Sequence, residues 1–219
     1  MIPYGRQSIS EDDIAAVVEV LRSDFLTQGP VVEQFEASVL QATKANYAVA
    51  MNSATSALHV ACLALGLGPG DWLLTSPITF VASANCALYC GASVDFVDID
   101  PRTYNMCPLK LAEKLALSKQ QGRLPKVIVP VHLAGQSCDM QAIHQLAQQY
   151  GCKVIEDASH AIGASYLDQP VGNCRFSNIT VFSFHPVKIV TTAEGGLATT
   201  NDSELATRMT EFRTHGITR

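Results

Sequence analysis

The chain has 219 residues, of which 47% are hydrophobic and 16% charged, so it can bury the core of one α/β domain. Its net charge of −5 lacks the basic footprint of a nucleic-acid-binding protein. No apolar run approaches the roughly 20 residues of a membrane span, and the seven cysteines form no CxxC pair. These features predict a cytoplasmic protein in a reducing compartment, with neither a nucleic-acid nor a membrane partner.

The N-terminal part of the chain is predicted to be helical. Residues 10–13 read as a capping box, and apolar residues at helical spacing follow over 14–21. Residues 24–30 break this pattern as a loop, and a second amphipathic helix follows over 31–40.

From residue 47 onward, short apolar segments alternate with helical ones. The predicted strands are 47–51, 72–76, 93–97, 126–131, 153–157, 179–183 and 197–200. The predicted helices are 57–65, 81–89, 109–117, 140–150 and a last one from about 202 to 212 or beyond. The alternation predicts an α/β fold with a largely parallel sheet covered on both faces. Pro130 predicts that the strand 126–131 lies at an edge of the sheet.

Ligands of open α/β sheets bind beyond the carboxyl ends of the strands, and several strand ends carry suitable groups. Asn52 to Ser56 is small and hydroxyl-rich and leads into a helix, which predicts either a phosphate cradle or an ordinary helix N-cap. Glu156 and Asp157 lie at the end of a buried strand, where an acidic residue needs a cation such as a protonated pyridine nitrogen, or several backbone donors. His160 follows and could bond a phenolate oxygen or be purely structural.

The third strand end precedes Lys188, which lies among apolar and hydroxyl residues just before a glycine pair. A primary amine there can lose its proton and attack carbonyl groups, although a lone lysine is usually a surface residue. Ser183 could donate to a phosphate or be a satisfied strand-end hydroxyl, and Phe80 could stack on a planar ring or pack in the core. Together the groups supply what one cofactor with a phosphate, a ring nitrogen and an aldehyde requires.

Other kinds of site fit the sequence less well. The six histidines are scattered and show no HxxxH or HExxH spacing, which argues against a metal site. The chain contains neither GxGxxG, nor GxxxxGK[ST], nor a GxSxG nucleophile elbow.

The segments 52–57, 156–160, 182–188 and 194–196 together resemble the nucleotide-sugar aminotransferases of the DegT/DnrJ/EryC1/StrS family. These are fold-type I enzymes that use pyridoxal 5′-phosphate (PLP). The resemblance covers essentially the whole chain and implies a large PLP-binding domain over residues 1–219, with an N-terminal helical arm over about 1–30. Relatives form homodimers and continue into a small C-terminal domain, so the chain is expected to be a truncated, N-terminal portion that lacks this domain.

The resemblance also implies roles for individual residues. Lys188 would form the Schiff base with the cofactor and move a proton, while Asp157 would keep the pyridine nitrogen protonated. The expected cofactor-binding residues are Ala54, Thr55, Phe80, Asp157, His160, Ser183 and Lys188. The residues expected to contact the sugar nucleotide are Tyr4, Ser53, Asp24, Phe25, Leu26 and Thr27. Many relatives have glutamine where this chain has His160.

Three further segments, 2–10, 23–30 and 75–83, resemble the pseudaminic-acid branch of the family. This likeness implies transfer of an amino group from L-glutamate to C4 of a UDP-linked 4-keto-6-deoxy-N-acetyl-hexosamine. The alternatives are a different keto sugar, of the perosamine, desosamine or aminoarabinose type, or a non-catalytic module that binds PLP or sugar. A variant of the family that performs dehydration has histidine in place of the lysine, and Lys188 argues against it.

Overall fold

Helices and strands alternate along nearly the whole chain in the computed structural model, which describes residues 5–217. The helices are α1 (Glu11–Arg22), α2 (Pro30–Thr43), α3 (Ala54–Ala64), α4 (Ala82–Tyr89), α5 (Pro108–Gln120), α6 (Met140–Tyr150) and α7 (Ser203–Arg213). The strands are β1 (Tyr47–Met51), β2 (Trp72–Thr75), β3 (Ser93–Phe96), β4 (Val127–Val129), β5 (Lys153–Asp157), β6 (Ser165–Tyr166), β7 (Gln169–Pro170), β8 (Ile179–Ser183) and β9 (Gly196–Thr200).

Seven of the strands form one mixed sheet in the order β1-β9-β8-β5-β4-β2-β3. The pairs from β8 through β5, β4 and β2 to β3 are parallel, whereas β9 runs antiparallel to both of its neighbours. Because β9 runs the other way, its first residue, Gly196, pairs with Ser183 and Met51 at the edge where β8 and β1 end. The predicted α/β class and largely parallel sheet are confirmed.

Helices cover both faces of the sheet, as the continuous apolar strands predict. One face packs against α3, α4 and α7, with Leu58, Cys86 and Met209 in its core. The other face packs against α5 and α6, and α2 covers it near β8 and β9, where Phe182 is buried. All seven cysteines are free.

The sequence-based prediction for the strand near Pro130 was wrong. β4 ends at Val129 and lies between β2 and β5, so it is a central strand. Pro130 follows the strand, where its missing N–H interrupts no ladder bond, and its carbonyl oxygen accepts the Asp157 N–H at 2.9 Å. The β6–β7 hairpin was not predicted, because two-residue strands show no periodicity.

The N-terminal segment contributes little to this core. α1 has the expected capping box, in which the Ser10 N–H donates to Asp13 Oδ2 and the Asp13 N–H donates to Ser10 Oγ. None of its residues is buried, whereas α2 buries Val39 and Thr43. Among the helices of residues 5–217, none has the length and apolar character needed to cross a membrane.

Candidate active site

A cavity of about 420 Å³ opens at the edge of the sheet where the parallel strands end. It brings together eight of the predicted site residues, which are Ser53, Ala54, Thr55, Phe80, Asp157, His160, Ser183 and Lys188. They lie at or just after the ends of β1, β2, β5 and β8, as expected for an open α/β sheet.

The first turn of α3 forms one wall of this cavity. The side chain of Ser53 caps the helix by accepting the Ser56 N–H at 3.1 Å. The N–H groups of Ala54 and Thr55 have no acceptor among residues 5–217, and the positive end of the helix dipole adds to their attraction for an anion. A side chain at Gly196 would collide with the Ser53–Ala54 peptide bond. Glycine is therefore required for β9 to approach the start of α3.

Asp157 lies at the floor of the cavity and is buried. Its Oδ2 accepts the hydroxyl of Ser83 at 2.6 Å, and its Oδ1 accepts both the hydroxyl and the N–H of Ser159 at 2.6 and 3.1 Å. Thr79 lies 2.7 Å from Ser83. Since the carboxylate only accepts, the Ser83 hydroxyl donates a hydrogen bond to Asp157 and the Thr79 hydroxyl donates one to Ser83. These hydroxyls keep a charged acceptor in a fixed orientation toward the cavity.

Lys188 is half-buried at the cavity wall and makes no hydrogen bond or ion pair through its amine to any residue that the structure describes. Burial lowers the pKa of Lys188 from its ordinary value, and the charge of Asp157 offsets only part of this effect. The loop that carries the lysine is closed at its base, because Phe184 O accepts from the Thr191 hydroxyl and the Thr192 N–H. An unpartnered amine with a lowered pKa is suited to attack an aldehyde.

Ser183 and Phe80 complete the predicted wall. Ser183 is buried at the end of β8, and its hydroxyl has no partner within residues 5–217, which makes it a free donor to the cavity. Phe80 is 71% exposed and lines the cavity from the loop between β2 and α4. It therefore does not pack in the core, and its ring is accessible to a planar ligand.

His160 lines the cavity next to a segment that the sequence did not single out. Burial lowers the pKa of His160, the nearby charge of Lys188 lowers it further, and Asp157 acts in the opposite direction. Its Nδ1 accepts the Ala134 N–H at 3.3 Å. Val131, His132 and Leu133 also line the cavity, and His132 is buried against Glu156 at 2.8 Å.

The remaining predicted residues are not part of this cavity. Asp24, Phe25, Leu26 and Thr27 form an exposed loop after α1 and do not line it. Tyr4 lies outside the described residues. Their predicted contacts with a sugar nucleotide stay predictions.

The cavity combines free helix N-terminal amides, a buried carboxylate and an unpartnered lysine at the carboxyl edge of an α/β sheet. This set defines a class of α/β proteins that hold a phosphorylated carbonyl cofactor through a lysine. The DegT/DnrJ/EryC1/StrS aminotransferase family model matches residues 7–219. The chain belongs to this family, whose members use PLP, so the family and the cofactor predicted from the sequence are confirmed.

Two curated relatives are named for sugar or polysaccharide metabolism. The UDP-4-amino-4-deoxy-L-arabinose–oxoglutarate aminotransferase of Shewanella sediminis is 42% identical over 216 residues, which are 99% of this chain and 53% of that protein. The spore coat polysaccharide biosynthesis protein SpsC of Bacillus subtilis is 42% identical over 218 residues, or 100% of this chain and 54% of that protein. The chain thus spans about half the length of the curated relatives that it matches.

The chain is also similar to solved structures of aminotransferases. PseC of Helicobacter pylori, an aminotransferase of pseudaminic acid biosynthesis, superimposes with a TM-score of 0.91 at 37% identity, covering 99% of this chain and 57% of that one. The PLP form of the putative sugar aminotransferase Spr1654 from Streptococcus pneumoniae superimposes with a TM-score of 0.89 at 32% identity, covering 99% and 59%.

The residues of the cavity fit PLP. The cradle at the start of α3 is open to a phosphate, and it exists because position 196 is glycine. Lys188 and Ser183 have no competing partner among the described residues, and Asp157 supplies a buried negative charge. Within residues 5–217 no group of three or more histidine, cysteine or acidic side chains is arranged to hold a metal ion.

Proposed function

We propose that the protein is a PLP-dependent aminotransferase that moves an amino group from L-glutamate to C4 of a UDP-linked 4-keto-6-deoxy-N-acetyl-hexosamine. The product would lead toward nonulosonic acids of the pseudaminic type. The observation that carries the proposal is the unpartnered amine of Lys188 in one cavity with Asp157 and the free amides of α3. The half-length match to the curated relatives makes this a proposal for the whole protein.

The cavity residues divide among the parts of the cofactor by their chemistry. The Ala54 and Thr55 N–H groups and the Ser183 hydroxyl would bind the phosphate. Asp157 would accept a hydrogen bond from the protonated ring nitrogen, and Phe80 would stack on the ring. When bound, PLP supplies an aldehyde that takes up amines and a ring that withdraws electrons from the reacting carbon.

Lys188 performs two tasks in this scheme. Its Nζ is the nucleophile toward the aldehyde, which the lowered pKa favours because more of the amine is unprotonated at neutral pH. Once released, the same Nζ would hold and move a proton next to the reacting carbon of the substrate. The loop clamped at Phe184 keeps the amine within reach of both positions.

The choice of sugar rests on the relatives. PseC, an aminotransferase of pseudaminic acid biosynthesis, supports the 4-keto-hexosamine substrate. Ser53 in the cavity together with Tyr4 and residues 24–27 would contact the sugar nucleotide. A second candidate is an aminoarabinose-type 4-keto sugar, because the Shewanella sediminis relative is 42% identical. We further propose that the protein acts as a homodimer and that it is located in the cytoplasm. Its seven free cysteines support the second point, because thiols stay reduced there.

The proposed function is tested in three stages with the purified protein. PLP should produce a visible absorbance band that borohydride abolishes, and mass spectrometry of the peptides should find the reduced adduct on Lys188. L-glutamate should then shift the band of the unreduced protein. Finally, the two candidate substrates, the UDP-linked 4-keto-hexosamine and the aminoarabinose-type 4-keto sugar, are compared as amino acceptors. A band without a response to glutamate would support the non-catalytic binding module, and an adduct on another lysine would refute the site.

A further inference from the structure

The segment 131–138, between β4 and α6, forms a wall of the cavity that has no role in the scheme above. Val131, His132 and Leu133 line the cavity. The backbone then turns sharply, with φ of +53° at Ala134 and +89° at Gly135. A Cβ atom at Gly135 would lie 2.9 Å from the carbonyl oxygen of His160, so glycine allows this turn to pack directly on the His160 backbone.

Asn105 holds this segment in place with its whole amide group. It is only 3% exposed. Its Oδ1 accepts the Leu133 N–H at 3.1 Å, and its Nδ2 donates to the carbonyl oxygens of Gln136 and Ser137 at 2.9 and 3.2 Å. One buried side chain therefore fixes the backbone on both sides of the two left-handed residues.

His132 anchors the same segment from the other side. Its Nδ1 accepts the Cys138 N–H at 3.2 Å, so the ring proton lies on Nε2, which donates to Glu156 at 2.8 Å. Glu156 also accepts the hydroxyls of Ser177 and Thr180. Burial alone raises the pKa of Glu156, but His132 and these hydroxyls outweigh burial and lower it.

The anchored turn presents the Ala134 N–H to Nδ1 of His160. A neutral imidazole has one nitrogen that accepts and one that donates, so a donor at Nδ1 requires the proton of His160 to be on Nε2. The neutral form is favoured around neutral pH because burial and then Lys188 lower the pKa of His160.

We propose that Asn105 is a positioning residue that, through the segment 131–138, holds His160 as the Nε2–H tautomer and so makes it a hydrogen-bond donor to an oxyanion bound in the cavity. The oxyanion is the phenolate-type oxygen of the PLP ring. This part of the inference rests on the proposed function, whereas the tautomer is a property of the protein alone.

The tautomer is measured first, by 15N NMR of histidine-labelled protein without cofactor. Nδ1 of His160 should show the shift of an unprotonated nitrogen and Nε2 that of a protonated one. In Asn105→Ala and in the isosteric Asn105→Asp, the two shifts should move toward each other as the second tautomer becomes populated. A protonated Nδ1 in the wild-type protein would overturn the proposal even if both variants failed to fold.

PLP affinity then tests the consequence. Asn105→Ala should weaken PLP binding roughly tenfold, as expected for loss of one hydrogen bond to a charged group. A glutamine in place of His160 donates through its amide without any tautomer. The same Asn105→Ala change in a His160→Gln background should therefore cost less than about twofold, which gives a double-mutant cycle.

The control is Asn173→Ala, which removes a half-buried amide whose Oδ1 accepts the Arg175 N–H at 3.0 Å and which lies outside the cavity. It should change neither the His160 shifts nor PLP affinity. Unchanged His160 shifts in Asn105→Ala, or an equal loss of PLP affinity with and without His160, would overturn the proposal. If the wild-type protein binds no PLP, the proposed function fails, but the shifts still decide the tautomer.

Discussion

The cavity end of the sheet and the N-terminal segment 5–29 differ in the contacts that hold their side chains in place. At the cavity, Asp157, Ser83 and His132 are buried, and their polar atoms bond to groups far away in the sequence. In the N-terminal segment, the side-chain bonds of Ser10 and Ser23 reach at most three residues along the chain. The first region is held by tertiary contacts, whereas these bonds of the second region are local.

This difference shows which predicted site residues have a defined environment. The apolar face of α1 points to solvent, with Ile14, Val17 and Leu21 between 46% and 65% exposed. The loop 24–27 is similarly exposed and stands apart from the cavity. The cofactor side of the proposed site is thus built by long-range contacts, whereas residues 24–27, which are proposed to contact the substrate, form an exposed loop.

The largest effect is expected at Lys188. Lys188→Ala removes the nucleophile and the proton carrier together, so amino transfer should fall by about 10⁴-fold or more. The melting temperature should stay close to that of the wild type, because the amine has no partner among residues 5–217 to lose. Borohydride should no longer fix PLP to the protein, whereas Lys153→Ala, an exposed lysine on β5, should behave as the wild type. Equal fixation in both variants would contradict the site.

Replacing one phenylalanine by alanine in each region compares the cavity end of the sheet directly with the N-terminal segment. Phe184 is 1% exposed and packs edge-on against Phe35 with ring centroids 5.0 Å apart, so Phe184→Ala should lower the free energy of unfolding by about 3–5 kcal/mol. Phe25 is 58% exposed, and Phe25→Ala should change it by no more than about 0.5 kcal/mol. Urea denaturation measures both. Similar losses would show that the N-terminal segment is packed in solution.

Ser83→Ala should have an intermediate effect. It deletes a fully buried hydroxyl that donates to Asp157 Oδ2 at 2.6 Å. The expected loss in the free energy of unfolding is about 1.5–3 kcal/mol, because the acceptor is charged. Ser118→Ala, also buried, removes a hydroxyl that donates to the neutral Lys114 carbonyl at 2.7 Å, and should cost about 0.5–1.5 kcal/mol. A larger loss at Ser118 would contradict a charged Asp157.

The sequence predicted those site residues whose role follows from local position. Ser53, Asp157, Ser183 and the segment before Lys188 each mark a strand end, and the rule for ligands at the carboxyl edge of a sheet brings them together without any knowledge of contacts. The site was therefore largely predictable where it depends on the order of the elements. Pro130 misled the prediction because a proline just beyond a short central strand looks the same as one in an edge strand.

The missed residues act across long separations. Ser83 lies 74 residues from Asp157, and Asn105 lies 28 residues from Leu133. In the sequence, Ser83 is one polar residue of a helix and Asn105 one of a loop, and neither pattern indicates a partner. Ser159 could have been found, because an aspartate followed two residues later by serine often forms a local side-chain turn.

The pH dependence of PLP capture should also distinguish Lys188 from an ordinary amine, although this effect is smaller than those of the substitutions above. Its pKa lies below the ordinary 10.5, so the fraction of free amine, and with it the rate of PLP capture, should rise with pH and reach half of its maximum below that value. Nα-acetyl-lysine is the reference amine. Because the charge of Asp157 raises the pKa of Lys188, Asp157→Asn should move the midpoint to still lower pH. An upward shift would contradict the arrangement.

The smallest effect is expected on α1. Ile14→Ser replaces a side chain that is 46% exposed by one of similar helix propensity, so the free energy of unfolding should change by no more than about 0.5 kcal/mol. Leu58→Ser is the buried comparison on α3, and it should be far more damaging. A loss above about 1 kcal/mol for Ile14→Ser would mean that the apolar face of α1 is covered in solution. If a second copy covers it, the melting temperature should rise with protein concentration, since association stabilises the folded form by mass action.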